Sequence, residues 1–391
     1  MIEERHPRRG RGPRASRPRL ASVLMALLAV AGTSTAALAQ VPVEEIKEAA
    51  ERIYTSTTDP GRDVRQPEDA RINTVTFSPN FRSDRTLYAV APLPCSVIGS
   101  CPSALFRSTD GGGSWERLPA ENFTGFELAL PPAYGRGDDR IFGLGNRGLE
   151  ISEDGGQTFA VAGPGSSAGI DLSISPRFND DDPTILLTGG VLRRYRDDLG
   201  ITEPVPGAGT HTTYVAHSPD YGASREVFIG AVRVSPLDGR AVGAVLVCGE
   251  EFLCHETRIG ESLIPEPRVP ESIATSGLAY FFTANAIYTS HDRGRTLSRL
   301  STPWNAITWD LAVDASGSVL YAATYDIPSE KPDGVFISRD GASTWRAAKD
   351  PLLAGGVVGV WESDGTVIAA LANGGLACSA NAGRSWGTRC P

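Results

Sequence analysis

Short apolar runs alternate with polar turns rich in glycine and proline along most of the chain. That pattern predicts strands joined by tight turns. One landmark recurs in four successive stretches: a strand ends in proline and an aromatic follows two residues later. The copies are Phe77-Ser78-Pro79-Asn80-Phe81, Leu130-Pro131-Pro132-Ala133-Tyr134, Ile174-Ser175-Pro176-Arg177-Phe178 and His217-Ser218-Pro219-Asp220-Tyr221. A second apolar run follows each copy, at Thr86–Val90, Arg140–Gly143, Thr184–Leu187 and Glu226–Ile229. Helical spacing occurs in one place, with apolar residues at 43, 46, 50 and 53, which predicts one short amphipathic helix over Val43–Tyr54.

A second motif, Ser-x-Asp-x-Gly-x-Ser/Thr followed by an aromatic, sets the period. It reads Ser108-Thr109-Asp110-Gly111-Gly112-Gly113-Ser114-Trp115, then Ser152-Glu153-Asp154-Gly155-Gly156-Gln157-Thr158-Phe159. Weaker copies centre on Asp292, Asp340 and Asn381, and a remnant lies at Asp198-Leu199-Gly200-Ile201-Thr202. Gaps between the Asp-equivalent positions are 44, 44, 94, 48 and 41 residues. The gap of 94 holds two repeats with one motif lost, so the chain contains seven units of about 45 residues, the length of a four-stranded propeller blade. Within a unit the order is strand A, polar turn, strand B, loop, strand C, motif hairpin, strand D. The predicted fold is therefore all-β: a seven-bladed β-propeller of four-stranded antiparallel blades over residues 72–391. A helix and polar linker at 40–71 precede it.

Residues 1–39 differ from everything after them. Seven arginines between Arg5 and Arg19 precede the apolar run Leu20–Val30, and small residues lead to Ala37-Leu38-Ala39. This is the order of a signal peptide, with cleavage expected after Ala39; left uncleaved, the run would serve as a membrane anchor. Loss of its seven arginines and two glutamates leaves 30 basic and 44 acidic residues, a net charge of −14. Such a surface repels phosphate backbones, which excludes nucleic acid as the expected partner. The 34 arginines against three lysines read as codon bias in a GC-rich bacterium. The expected location is secreted, periplasmic or at a bacterial cell surface, and the expected state is a monomer.

All six cysteines follow the leader and fall in close pairs, Cys95/Cys101, Cys248/Cys254 and Cys378/Cys390. Export permits disulfides, and short loops favour these three. Cys248–Cys254 occupies the place of the missing fourth motif, and Cys378–Cys390 flanks the seventh, at the seam of the ring. A metal would need ligands converging from distant blades, and only His211, His217, His255 and His291 follow the leader. Neither a metal nor a cofactor is expected.

These motifs resemble the Asp-box (BNR) repeat superfamily, which includes sialidases, xyloglucan-cleaving glycosidases, sortilin-type receptors and photosystem assembly-factor propellers. The resemblance spans residues 72–391. It implies that Asp110, Asp154, Asp292, Asp340 and Asn381 are structural, each accepting hydrogen bonds within its own turn, and that Trp115, Trp345 and Trp386 pack between blades. Catalysis of the sialidase kind needs three arginines on a carboxylate and an arginine-isoleucine-proline motif before the first box. Only Arg268-Val269-Pro270 is similar, and it lies between the fourth and fifth units. Sialidases have six blades, and xyloglucan-cleaving relatives have two propellers.

Candidate chemistry lies where strand A lines the axis. Five residues before each landmark proline stand Thr74, Glu127, Asp171 and Tyr214, and Asp310 takes the corresponding place in the sixth unit. Glu127, Asp171 and Asp310 are the candidate catalytic carboxylates, since glycoside hydrolysis uses a pair of them. Tyr214 and Trp309 are candidate ligand-binding residues. The same carboxylates have a structural alternative, bonding a neighbouring blade's backbone. Gly165-Ser166-Ser167-Ala168-Gly169 matches an esterase pattern but lacks the strand-to-helix elbow that motif needs. Asn179-Asp180-Asp181-Asp182 reads as a solvated turn. Unusual loops at Ala91–Ser103, Arg233–Ala244 and Tyr325–Asp333 are where binding to a rigid scaffold would concentrate. The preferred expectation is a non-catalytic exported propeller binding a protein or glycan. The alternative is a glycoside hydrolase, exo-sialidase-like or xyloglucanase-like, that uses the channel carboxylates.

Overall fold

The computed structural model describes residues 65–93, 101–162, 169–206, 210–234, 239–304, 306–326 and 331–390. The expected leader, the helix at 43–54, Cys95 and most of the esterase-like pattern lie outside the described residues. Seven antiparallel sheets follow one another in chain order. Their inner strands, A, are Thr74–Phe77, Gly125–Ala129, Leu172–Ile174, Thr210–His217, Glu266–Arg268, Ile307–Val313 and Val357–Ser363. Each touches the inner strand of the next blade, and that of blade seven touches that of blade one, so the ring is closed. The protein is an all-β, seven-bladed propeller.

Two blades depart from four strands. Blade seven has three, and its fourth position is reduced to a single bridge between Cys378 and Gly387. Blade four has five, because Gly190–Val191, from the loop between strands B and C of blade three, pairs with the inner strand of blade four.

The middle strands read as continuous buried runs, such as residues 87–91 and 366–371, because each blade is covered on both faces by its neighbours. The result is an apolar core at every junction. Val75, Leu87 and Phe106 of blade one meet Ile368, Ala370 and Leu376 of blade seven. Phe142 and Leu144 of blade two likewise meet Ile185 and Leu187 of blade three. The landmark aromatics serve these cores: Phe81, Tyr134 and Phe178 are buried between blades, and Tyr221 packs against the junction of blades three and four. Burying one such ring contributes roughly 2–3 kcal/mol.

The aspartate turns between strands C and D have one repeated geometry. Asp154 accepts from the Thr158 N–H at 2.9 Å and from the Thr158 hydroxyl at 2.7 Å, and Ser152 Oγ donates to it at 2.8 Å. Ser152 Oγ accepts in turn from Gly156 N. Asp110, Asp292 and Asp340 repeat these bonds, and Asn381 keeps the backbone contact to Ser385 N at 3.0 Å. The Thr158 backbone N–H and then its hydroxyl hold the Asp154 carboxyl down to about 2. Gly156 has φ 91°, and a Cβ there would lie 2.7 Å from Leu118 of blade one, so conformation and packing both require glycine. Asp198 forms no such turn; it pairs with Arg196 instead.

Disulfides tie two of the blades, at the hairpin of blade four, where the turn is lost, and around the turn of blade seven. Cys248–Cys254 joins directly opposed residues of strands C and D in blade four. The hairpin between them has two consecutive non-glycine residues in the left-handed region, Glu251 (φ 61°) and Phe252 (φ 54°). Cys378–Cys390 holds the tail of blade seven, and Cys390 N donates to Gly112 O of blade one. Cys101 is also disulfide-bonded. The seam is further tied by Gly375 N to Ala70 O and by Arg82 to Asp364 at 2.6 Å.

Cys378→Ser/Cys390→Ser is expected to lower stability by about 3 kcal/mol in urea unfolding. Cys248→Ser/Cys254→Ser is expected to cost less, because its loop closes over 6 residues instead of 12.

Candidate functional site

The inner strands of all seven blades enclose an axial channel of about 420 Å³. Its wall includes Thr74, Thr76, Glu127, Asp171, Glu266, Arg268, Trp361 and Glu362. Several strands reach the axis through a β-bulge. Blades two, four, six and seven each carry one extra residue, at Phe126, Thr213, Trp309 and Val358.

Asp171 and Asp310 share one arrangement. Asp171 accepts from its own neighbour Leu172 N at 2.9 Å and from Val215 N of blade four at 2.9 Å. Asp310 accepts from Leu311 N at 2.9 Å and from Val360 N of blade seven at 3.0 Å. Each carboxylate thus clips its inner strand to the next, with one oxygen on each side. Glu127, on blade two, accepts from Thr74 Oγ1 of blade one at 3.2 Å. The Asp171 and Asp310 bonds reach a neighbouring blade's backbone, as in the structural alternative, whereas the Glu127 bond reaches a neighbouring side chain.

Asp310 also receives a cation. Arg268 Nη2 donates to Asp310 Oδ1 at 2.8 Å, Nη1 lies 2.6 Å from Glu266 Oε1, and Nε donates to Leu311 O. The guanidinium also lies over the Phe282 ring, 5.1 Å from its centroid. Burial opposes the Arg268 charge, yet Glu266 and Asp310 together raise its pKa above the ordinary arginine value. Arg268 therefore binds blade five to blade six.

Glu362, near the end of the blade-seven inner strand, is the channel group with a shifted carboxyl. Burial pushes it up to about 7, against the bond from Gly365 N at 2.8 Å and with help from Asp314, Asp364 and Glu271. Tyr214 packs toward Val232 and Ile264, and Trp309 packs on the core between blades six and seven; neither is among the channel-lining residues. Asp171 and Glu127 are brought to one channel, and Asp310 reaches it through Arg268.

Two further groups link blades three and four. Ser173 Oγ lies 2.9 Å from His217 Nδ1 and accepts from His217 N at 3.0 Å. Burial lowers the imidazole to about 4, so it is neutral at pH 7. In the acidic turn, Asn179 bonds Ala133 N and Asp138, Asp181 pairs with Arg177, and Asp182 bonds Ser175 and Thr184.

Asp310→Ala takes one carboxylate from Arg268, which keeps Glu266, and removes the acceptor of the Val360 N–H, so it is expected to lower stability by about 3 kcal/mol. Asp171→Ala, which takes the acceptor from the Val215 N–H, is expected to cost about 1–3 kcal/mol; urea unfolding of both checks the order. Glu362 has a folded pKa above its unfolded value, so its contribution is complete below about pH 4.5 and is lost as pH rises through about 7. Glu362→Gln is therefore expected to gain melting temperature relative to wild type at pH 8 compared with pH 5.

No family model and no curated protein matches the sequence. Solved structures do share its shape. The extracellular domain of BT4673 from B. thetaiotaomicron superposes over 79% of this chain at TM-score 0.53 and 10% identity, and the chain spans 38% of that one. YCF48 from Cyanidioschyzon merolae is matched over 80% of this chain and 96% of its own, at TM-score 0.53 and 14% identity. At such identities the likeness is one of fold alone: this chain is similar in architecture to known propellers.

Proposed function

We propose that the chain is an exported, non-catalytic propeller that binds a protein or glycan partner. The observation that carries this reading is the engagement of Asp171 and Asp310, whose oxygens bond the main chain of two successive blades. Carboxylates held this way stiffen a ring and offer no acid–base pair to a sugar. A rigid ring that presents loops at its faces is suited to recognition. Oxidised cysteines support an oxidising compartment. The repeated aspartate turns support membership of the Asp-box superfamily, whose members include binding receptors as well as enzymes.

A second reading, glycoside hydrolysis, is favoured by Glu362. A carboxyl that keeps its proton close to neutral pH suits a general acid, and Glu127 lines the same channel.

One experiment separates the two. The exported chain is incubated with immobilised glycans, candidate surface proteins and soluble extracellular polysaccharides, and both retention and reducing-sugar release are measured. Saturable retention without sugar release is the expected result. Sugar release that disappears in Glu362→Gln or Glu127→Gln would replace binding with hydrolysis.

A further inference from the structure

Blades three and four, which are successive, are the two whose outer hairpins lack the aspartate turn. Both hairpins present a leucine to solvent, Leu199 at 55% exposure and Leu253 at 76%. In the other five blades the tips carry only glycine, alanine, serine, glutamine or arginine, at residues 111–113, 155–157, 293–295, 341–343 and 382–384. The remaining exposed large apolar residues, Val161, Val191 and Val234, also belong to blades two to four. Among the described residues, the arc from blade five round to blade one has none.

Leu253 is held rigidly. The Cys248–Cys254 disulfide closes the base of its hairpin, and Gly249 N donates to Leu253 O across the turn. Phe252 turns inward onto the core between blades three and four, which leaves Leu253 facing out. The strand that follows is tied to blade five, where Thr257 Oγ1 donates to Arg295 O at 2.9 Å. A side chain fixed in this way loses little freedom when a partner covers it.

The charge on the hairpin tip itself is negative. Glu250 and Glu251 are exposed and make no ion pair among the described residues. Nearby carboxylates are neutralised, Glu256 by Arg233 and Arg258, and Glu203 by Arg194. Two free carboxylates beside an apolar side chain are repelled by anionic lipid and attracted by basic protein surface. Leucine also lacks the flat aromatic face on which sugars stack.

We propose that the hairpin tips of blades three and four, with Leu253 as the anchor, form a docking surface for a protein that presents an apolar socket rimmed by Lys or Arg. This rests on the binding reading above and narrows it to a protein partner held at the rim of the ring.

The test places a photo-crosslinking amino acid at Leu253, at Val234 or at the exposed Arg346 of blade six, in cells that make and export the chain. The expected result is one protein adduct of defined mass from position 253 and none from 346, reduced at least tenfold by Glu250→Lys/Glu251→Lys. The purified adduct partner is expected to bind wild type in a salt-sensitive manner and Leu253→Ala about tenfold more weakly, with the melting temperature of the variant unchanged. An adduct of twice the chain's mass, an equal adduct from 346, or one indifferent to charge reversal would overturn the proposal. Retention of a ligand in the binding assay with no adduct from 253 overturns the rim interface alone. No retention there and no adduct from 253 or 234 overturns both readings.

Discussion

Everything in this protein depends on the contact between one blade and the next. A four-stranded sheet that is apolar on both faces cannot stand in water by itself, and a ring supplies each sheet with two covers. The apolar cores lie at the junctions, and the polar clips sit at their inner edge, nearest the axis. This division explains why acidic residues occur on strands otherwise made for burial. An inner strand needs partners for main-chain N–H groups that face the adjoining blade, and a carboxylate with two oxygens satisfies one on each side.

The ring is legible in the sequence because its signals are periodic. The aspartate turn and the proline-aromatic landmark recur at blade length, and each recurrence corrects the phase of the last. Counting back from the proline therefore puts Glu127 and Asp171 on the channel wall without any knowledge of the strands. The bulges of the inner strands are not visible in that count. The extra residue in blade six is Trp309, and pattern alone gives no hint that it turns to the core while Asp310 turns to the next blade.

The channel's other charged groups are silent in the sequence for a different reason. Arg268 stands in a tripeptide that invites comparison with a catalytic motif, but its role is set by Asp310, 42 residues away on another blade. Glu362 carries no local signature, because its environment is assembled from the turns of blades five, six and seven. Periodicity reports what a repeat does in every blade, whereas these residues act once each. The same limit applies at blade four, where the loss of a turn motif can be read directly but the outward leucine on its replacement cannot.

The seam has a consequence for how the molecule comes apart. Six of the seven junctions join blades adjacent in the chain, and only the junction between blades seven and one joins distant residues, such as Cys390 with Gly112 and Asp364 with Arg82. Opening any other junction leaves the two blades tethered by a short connection that favours their return. Opening the seam releases two ends that must find each other again across the whole ring. The lifetime of the closed propeller under load or protease is thus governed by one joint, and the remaining six act as hinges behind it.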